Sequence, residues 1–423
     1  MKKYLVSLLL VIGLSVSLYA AAPFQMDGAM GTVVLTDDQG NQTMYSQLSL
    51  RPQINLGKLG VGLDLFFYFD ENGYLREEDW DDASKIPEKI LYIKYAEKGD
   101  PFYFHIGGMK EYILGHGIIF NNYSNLILYP DLRKIALAVD VNAGYFGFET
   151  ITSNIKRAEV LGGRFYYRPL HKYSFPFFRK LGVGISAGTD VNPDNNKDTE
   201  NDQVTIIGFD IDLPILDMGL LSTLAFFDIA TMELGSAYTD DTLTNPAKNG
   251  GVGNSVGIMG KFAFLNYRAE YRSLQNNFSY GYFNSFYEVD RSTKGYTIAG
   301  DDEPMREGPY FEAAYSFMDK AHIKASYENY DHDPENKYPW LHAEIVIKPE
   351  LLLNKLSFAF YYDRRNANTW EEVKDVENED AIMITEMGYN VGGSVMLVVI
   401  EKKTFDRFGR SFRTRTIETR FRF

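Results

Sequence analysis

Eight ionisable residues alternate with apolar neighbours along the chain: Asp64, Asp140, Arg268, Glu270, Arg272, His322, Lys324 and Glu344. Charges of both signs on one face of a set of strands create a transverse field across a water-filled space, which orients polar solutes and filters ions. The plainer alternative is that they pair with one another across strands and only hydrate a wall. Two loops add carboxylates at alternate positions, Asp194, Asp198, Glu200 and Asp202 in one and Asp331, Asp333 and Glu335 in the other. A calcium loop wants glycine at its sixth position, where the first of these has Thr199, so both read as solvated acidic loops.

Enzyme motifs dissolve in their context. Gly184-Ile185-Ser186-Ala187-Gly188 spells a nucleophile elbow, but that motif needs a strand turning sharply into a helix. Here it lies inside the alternating run Leu181, Val183, Ile185, Ala187, with glycines opposite. Gly251, Gly253 and Gly257 do not have dinucleotide spacing. The six histidines show no metal-ligand spacing. No catalytic, cofactor-binding or metal residue is expected, although a triad gathered from distant strands is invisible in a linear chain.

The elements that must position these charges are strands. Leu59, Val61, Leu63, Leu65, Phe67 and Phe69 share one face, with Gly60, Gly62, Asp64 and Tyr68 on the other. Ala321-Ile323-Ala325-Tyr327 against His322-Lys324-Ser326-Glu328 repeats the period of two, as do the runs around 267–272 and 341–348. Short connections, among them Gly57-Lys58, Asn142-Ala143-Gly144, Leu265-Asn266 and Met318-Asp319-Lys320, alternate with long segments at 70–88, 109–132, 190–203, 232–252, 275–307 and 364–380. Period alone does not say whether the apolar face is a core or a surface.

Both chain ends decide that question. Met1-Lys2-Lys3, the apolar run Tyr4 to Leu18 and the small residues Ala20 to Ala22 have the layout of a secretory signal peptide, with cleavage expected between 20 and 22 and a single domain over 23–423. Losing Lys2 and Lys3 takes the formal charge from −14 to −16. Beyond it, no run free of charge, amide and proline exceeds ten residues, the length of Val391 to Ile400, half of what a helical span requires. A chain that crosses a bilayer without such a helix closes into a barrel, because every backbone amide must be satisfied internally. Thirty Tyr and thirty Phe suit the aromatic girdles of such barrels, and the absence of cysteine excludes disulfide stapling. At the C-terminus Ile417, Phe421 and Phe423 face one way and Glu418, Arg420 and Arg422 the other.

A terminal strand closing on Phe resembles the closing strand of Gram-negative outer-membrane β-barrels, porin-like in class, where Phe421 and Phe423 would act as the signal read by the barrel-assembly machinery. The resemblance implies an all-β fold, a closed antiparallel up-and-down transmembrane barrel with a best count of twenty strands (range 16–20) and both termini in the periplasm. It also implies an outer-membrane location, contact with outer-membrane lipid and lipopolysaccharide, and possible homo-oligomers. Neither an enzymatic activity nor a nucleic-acid partner is expected. By this count the apolar segment 109–130 joins strands five and six, the position where porins fold a loop into the lumen. Lys110, Glu111 and His116 are then candidates for a constriction, and the eight alternating charges line the pore. The function implied is passive or weakly selective diffusion of small polar solutes or ions. Alternatives are a plugged barrel that transports apolar molecules and a surface protein with an adhesive or enzymatic role.

Overall fold

Alternation in the sequence becomes a continuous hydrogen-bond ladder. The structure is a computed structural model that describes residues 24–172, 178–196, 198–238, 251–275, 278–299, 304–318, 320–332 and 337–422. The signal segment, Phe423, Asp333 and Glu335 lie outside the described residues.

The first five crossings are β1 (Phe24–Thr36), β2 (Gln42–Leu56), β3 with β4 (Leu59–Leu63, Leu65–Phe69), β5 (Ile90–Tyr95) and β6 (Phe102–Gly107). Next come β7 (Ala136–Asn142), β8 (Phe146–Thr152), β9 (Val160–Tyr167), β10 (Gly182–Asp190), β11 (Val204–Asp217), β12 (Leu221–Leu234), β13 (Val252–Phe262) and β14 (Leu265–Gln275). The last seven are β15 (Arg306–Phe317), β16 (Ala321–Glu328), β17 (Trp340–Ile347), β18 (Leu356–Arg364), β19 (Ala381–Gly392), β20 (Val395–Phe405) and β21 (Ser411–Arg422). β3 and β4 are one crossing interrupted at Asp64, whose N–H leaves the ladder for the Lys89 carbonyl at 2.8 Å. The count is therefore twenty crossings, each antiparallel to its neighbours.

Closure comes from β1 against β21, Asp27 opposite Arg422 through Met30 opposite Thr419. The seam is tight. A Cβ at Gly31 would stand 2.9 Å from the Glu418 side chain and 3.0 Å from the Ile417 carbonyl, so the backbones meet only because that position carries none. One expected turn is displaced: Leu265-Asn266 opens β14, and the reversal falls on Ala263-Phe264, with Ala263 at a φ of +54°. A two-residue connection of that kind keeps Phe262 opposite Leu265.

The outward faces are apolar around the circumference. Ile185, Ile207, Val256, Phe311, Ile323, Met387 and Ile417 all stand exposed on successive parts of the wall, Ile417 at 62%. Exposed aromatics gather at the short-turn rim, where both termini lie: Tyr95, Phe102, Tyr145, Tyr167, Phe262, Phe264, Tyr315 and Tyr389. Among the described residues no helix is long and apolar enough to cross a membrane. An apolar belt around a closed barrel with an aromatic girdle is a surface made for hydrocarbon and its interface. This is a membrane-spanning β-barrel of the outer-membrane type.

Candidate functional site

Inside, the parity reverses. Arg51, Asp64, Glu149, Arg164, Asp210, Asp228, Arg268, Glu270, Lys324, Glu344 and Asp363 alternate with the outward apolar residues and form hydrogen bonds or ion pairs across the lumen wall. Isolated charges would not stand in a packed interior, and these are held in networks.

The segment between β6 and β7 leaves the rim and crosses this lumen. Tyr112 and Tyr123 exchange backbone hydrogen bonds of 2.9 and 3.0 Å, closing the base of a finger over residues 113–122. The tip rests on the nearby wall at β9 and β10 because that wall gives way to it. A Cβ at Gly162 would lie 2.5 Å from the Phe120 ring, and one at Gly188 would lie 2.5 Å from Ile119. The glycines opposite Ile185 and Ala187 that mimicked an enzyme motif thus include a socket.

All three residues expected at a constriction reach wall groups. Lys110 Nζ donates to Glu344 Oε1 at 2.5 Å, and Lys324 Nζ donates to Glu111 Oε2 at 3.1 Å. His116 places Nε2 2.7 Å from Asp212 and Nδ1 2.9 Å from Asp228, and its carbonyl accepts from Arg268. The finger's return stretch is fixed too: Arg133 donates to Asp64 at 3.0 Å, Lys402 to the Tyr129 carbonyl at 2.6 Å, and Thr404 to the Ile127 carbonyl at 2.8 Å.

A second segment, within the long connection 275–307, also enters the lumen. Residues 278–287 include Phe278, Tyr280, Tyr282, Phe283, Phe286 and Tyr287, all buried, and lead into a helix, Tyr287–Ala299. Phe283 stacks on Phe120 with ring centroids 4.3 Å apart. Backbone bonds join the two segments: Gly281 N–H to Ile118 O at 3.0 Å, Asn121 N–H to Phe283 O at 2.9 Å. The helix is pinned through Arg291, which donates to Asp190 at 2.6 and 2.8 Å. Together they form an apolar slab across the long-loop half of the lumen. Below it, at the short-turn rim, a cavity of about 690 Å³ is lined by Asp27, Arg51, Gln53, Lys348 and Arg420.

The other expected wall residues fall in four places. Arg268, Glu270 and Arg272 form one buried cluster, with Arg272 bonded to Glu270 at 2.9 Å and Glu328 at 2.8 Å and its guanidinium 3.6 Å from the Tyr280 ring centroid. Asp140 lies 3.4 Å from Lys98, and Asp64 binds Arg51 and Arg133. His322 stands apart near the short-turn rim, paired with Ser316 at 2.9 Å. Sequence reasoning did not single out Asp212, Asp228 or Asp363, although Asp212 and Asp228 sit between apolar neighbours.

The His116 contact is a charged latch. Burial pushes the imidazolium down, but the hydrogen bonds and charges of Asp212 and Asp228 outweigh it and raise its pKa to about 10. The folded value lies above the roughly 6.5 of free imidazole. Its contribution is therefore complete below about 6.5 and is lost as pH climbs through about 10. Limited proteolysis against pH is expected to show the finger released near the upper value, and His116→Gln is expected to lack that alkaline step; an identical step in the variant contradicts the latch.

No protein-family model and no curated protein matches the chain. Among solved structures it is similar to OpdL of Pseudomonas aeruginosa at 9% identity and a TM-score of 0.35, covering 96% of this chain and 99% of that one. It is similar to OccK2 (OpdF) of the same organism, solved in complex with glucuronate, at 9% identity and a TM-score of 0.32, covering 95% and 96%. A BenF-like porin from Pseudomonas fluorescens matches at 6% identity and 0.33, covering 95% and 98%. At these scores the likenesses carry no argument beyond the barrel already described.

Proposed function

We propose that this barrel is a selective diffusion channel of the outer membrane, with small polar solutes or ions as its cargo and no covalent chemistry. The carrying observation is the inverted parity of the wall: apolar outside, charged inside, on nearly every strand. Charged groups of both signs serve a barrel whose lumen holds water and polar solute, since an apolar cargo would want an apolar lining. The 690 Å³ vestibule opens at the short-turn, periplasmic rim, and the finger and helix set the narrow zone above it. Selectivity there comes from width and from the Lys110–Glu344 and Lys324–Glu111 pairs.

Reversal potential across an asymmetric salt gradient tests this reading. Lys110→Gln with Glu111→Gln is expected to change the cation-to-anion permeability ratio several-fold while the barrel stays folded. An unchanged ratio in a conducting variant places the selective zone elsewhere.

A further inference from the structure

Two histidines in the lumen face carboxylates, and they do so differently. Both ring nitrogens of His116 are in direct contact with carboxylate oxygens, at 2.7 and 2.9 Å. That geometry is a closed ion pair. His342, on β17, is 4% exposed, and neither of its ring nitrogens makes a hydrogen bond. Its Nε2 stands 3.6 Å from Glu111 Oε1 and its Nδ1 3.7 Å from Asp363 Oδ2. Glu111 Oε1 is likewise buried with no hydrogen-bond partner. Glu344, two residues along the same face of β17, completes a set whose ligand atoms all lie within 4.8 Å of one another.

We propose that Glu111, His342 and Glu344 form a binding site for one divalent transition cation, which clips the base of the inward-folded finger to β17.

A separation of 3.6 Å is long for a hydrogen bond. It matches the edge between two ligands of a tetrahedral ion with bonds of about 2.0–2.1 Å, an edge of about 3.4 Å. One imidazole with two carboxylates suits zinc, cobalt or manganese, whereas calcium takes six to eight oxygens. Each carboxylate keeps an oxygen for the ion. Lys324 holds Glu111 through Oε2, and Lys110 holds Glu344 through Oε1. Asp363 supplies the outer contact that such a histidine usually has, a carboxylate facing the ring nitrogen away from the metal. Asp363 is itself fixed by Ser285 at 2.5 Å and by Trp340 and Tyr361. Charge agrees as well: Glu111, Glu344, Glu312 and Asp363 against Lys110 and Lys324 leave two negative charges around the His342 ring, the complement of a divalent ion. A cavity of about 30 Å³ lies alongside His342 and Asp363.

The test is titration of the purified folded barrel with Co²⁺, followed by its visible absorption, and with Zn²⁺ in competition. Neither readout depends on conductance. Saturation at one ion per chain is expected. Glu111→Gln is expected to abolish saturable binding, Asp363→Asn to weaken it by about 10–100-fold, and His332→Gln, at an exposed loop histidine, to leave it unchanged. No saturable binding, or wild-type affinity in both His342→Gln and Glu111→Gln, overturns the site. Should His342→Gln fail to form the barrel, Glu111→Gln decides, because Glu111 lies in the segment leading to the finger's base, outside the strand ladder.

Discussion

Glu270→Ala is expected to destabilise the barrel by about 3–5 kcal/mol, the cost of leaving buried guanidinium groups without their counter-charge. Glu270 is 5% exposed and bonds both Arg268 and Arg272, the latter completely buried. Arg272 keeps Glu328 and the faces of Tyr280 and Tyr310 after the substitution. Arg268 keeps the His116 carbonyl, the Tyr280 hydroxyl and its ring contacts, with no second carboxylate among the described residues. Because Tyr280 belongs to the second inward segment, the loss reaches beyond the wall and loosens the slab. Chemical unfolding in detergent micelles measures it. Replacing Arg268, Glu270 and Arg272 together by apolar residues of similar volume is expected to recover most of that loss, since no charge is then stranded. A single-variant effect under 1 kcal/mol would mean the cluster is hydrated, not buried.

The second large effect concerns passage. Joining Tyr112 to Tyr123 through a two-residue glycine turn deletes 113–122 at a point where the backbones already exchange hydrogen bonds. The excision removes His116, Ile118, Ile119 and Phe120, the residues that span from the finger's base to β9–β12 and the second segment. Conductance is expected to rise several-fold, with weaker selectivity, and Phe283 loses its stacking partner. The Lys110–Glu344 pair remains, being on the base side of the cut. Equal conductance before and after excision would show that the finger does not bound the path.

Much of this was legible in the chain. Strands such as Leu59–Phe69 and 321–328 show the period of two so cleanly that the wall and a best count of twenty crossings follow from residue order, while the two chain ends turned its apolar face outward. The finger was legible because 109–130 is apolar where a solvated loop would be polar. Its pairings were not: Lys110 and Glu344 are 234 residues apart, and no local pattern encodes a partner at that distance. The segment at 278–299 was hidden for a different reason. Its aromatics are diluted by Glu288, Arg291 and Lys294, which read as solvent-facing. In the fold those charges are buried and satisfied internally, Lys294 by the Tyr282 carbonyl at 2.6 Å and Arg291 by Asp190. His342 looked like one more polar-face residue, because Glu111 and Asp363 reach it only through the fold.

Single-channel recording of the purified barrel in a planar bilayer tests the central claim most directly. Discrete conductance steps of stable size, with a reversal potential displaced from zero in a salt gradient, are the predicted result. Folded protein that inserts and passes no current would contradict the channel, and the apolar slab across the lumen would then act as a plug.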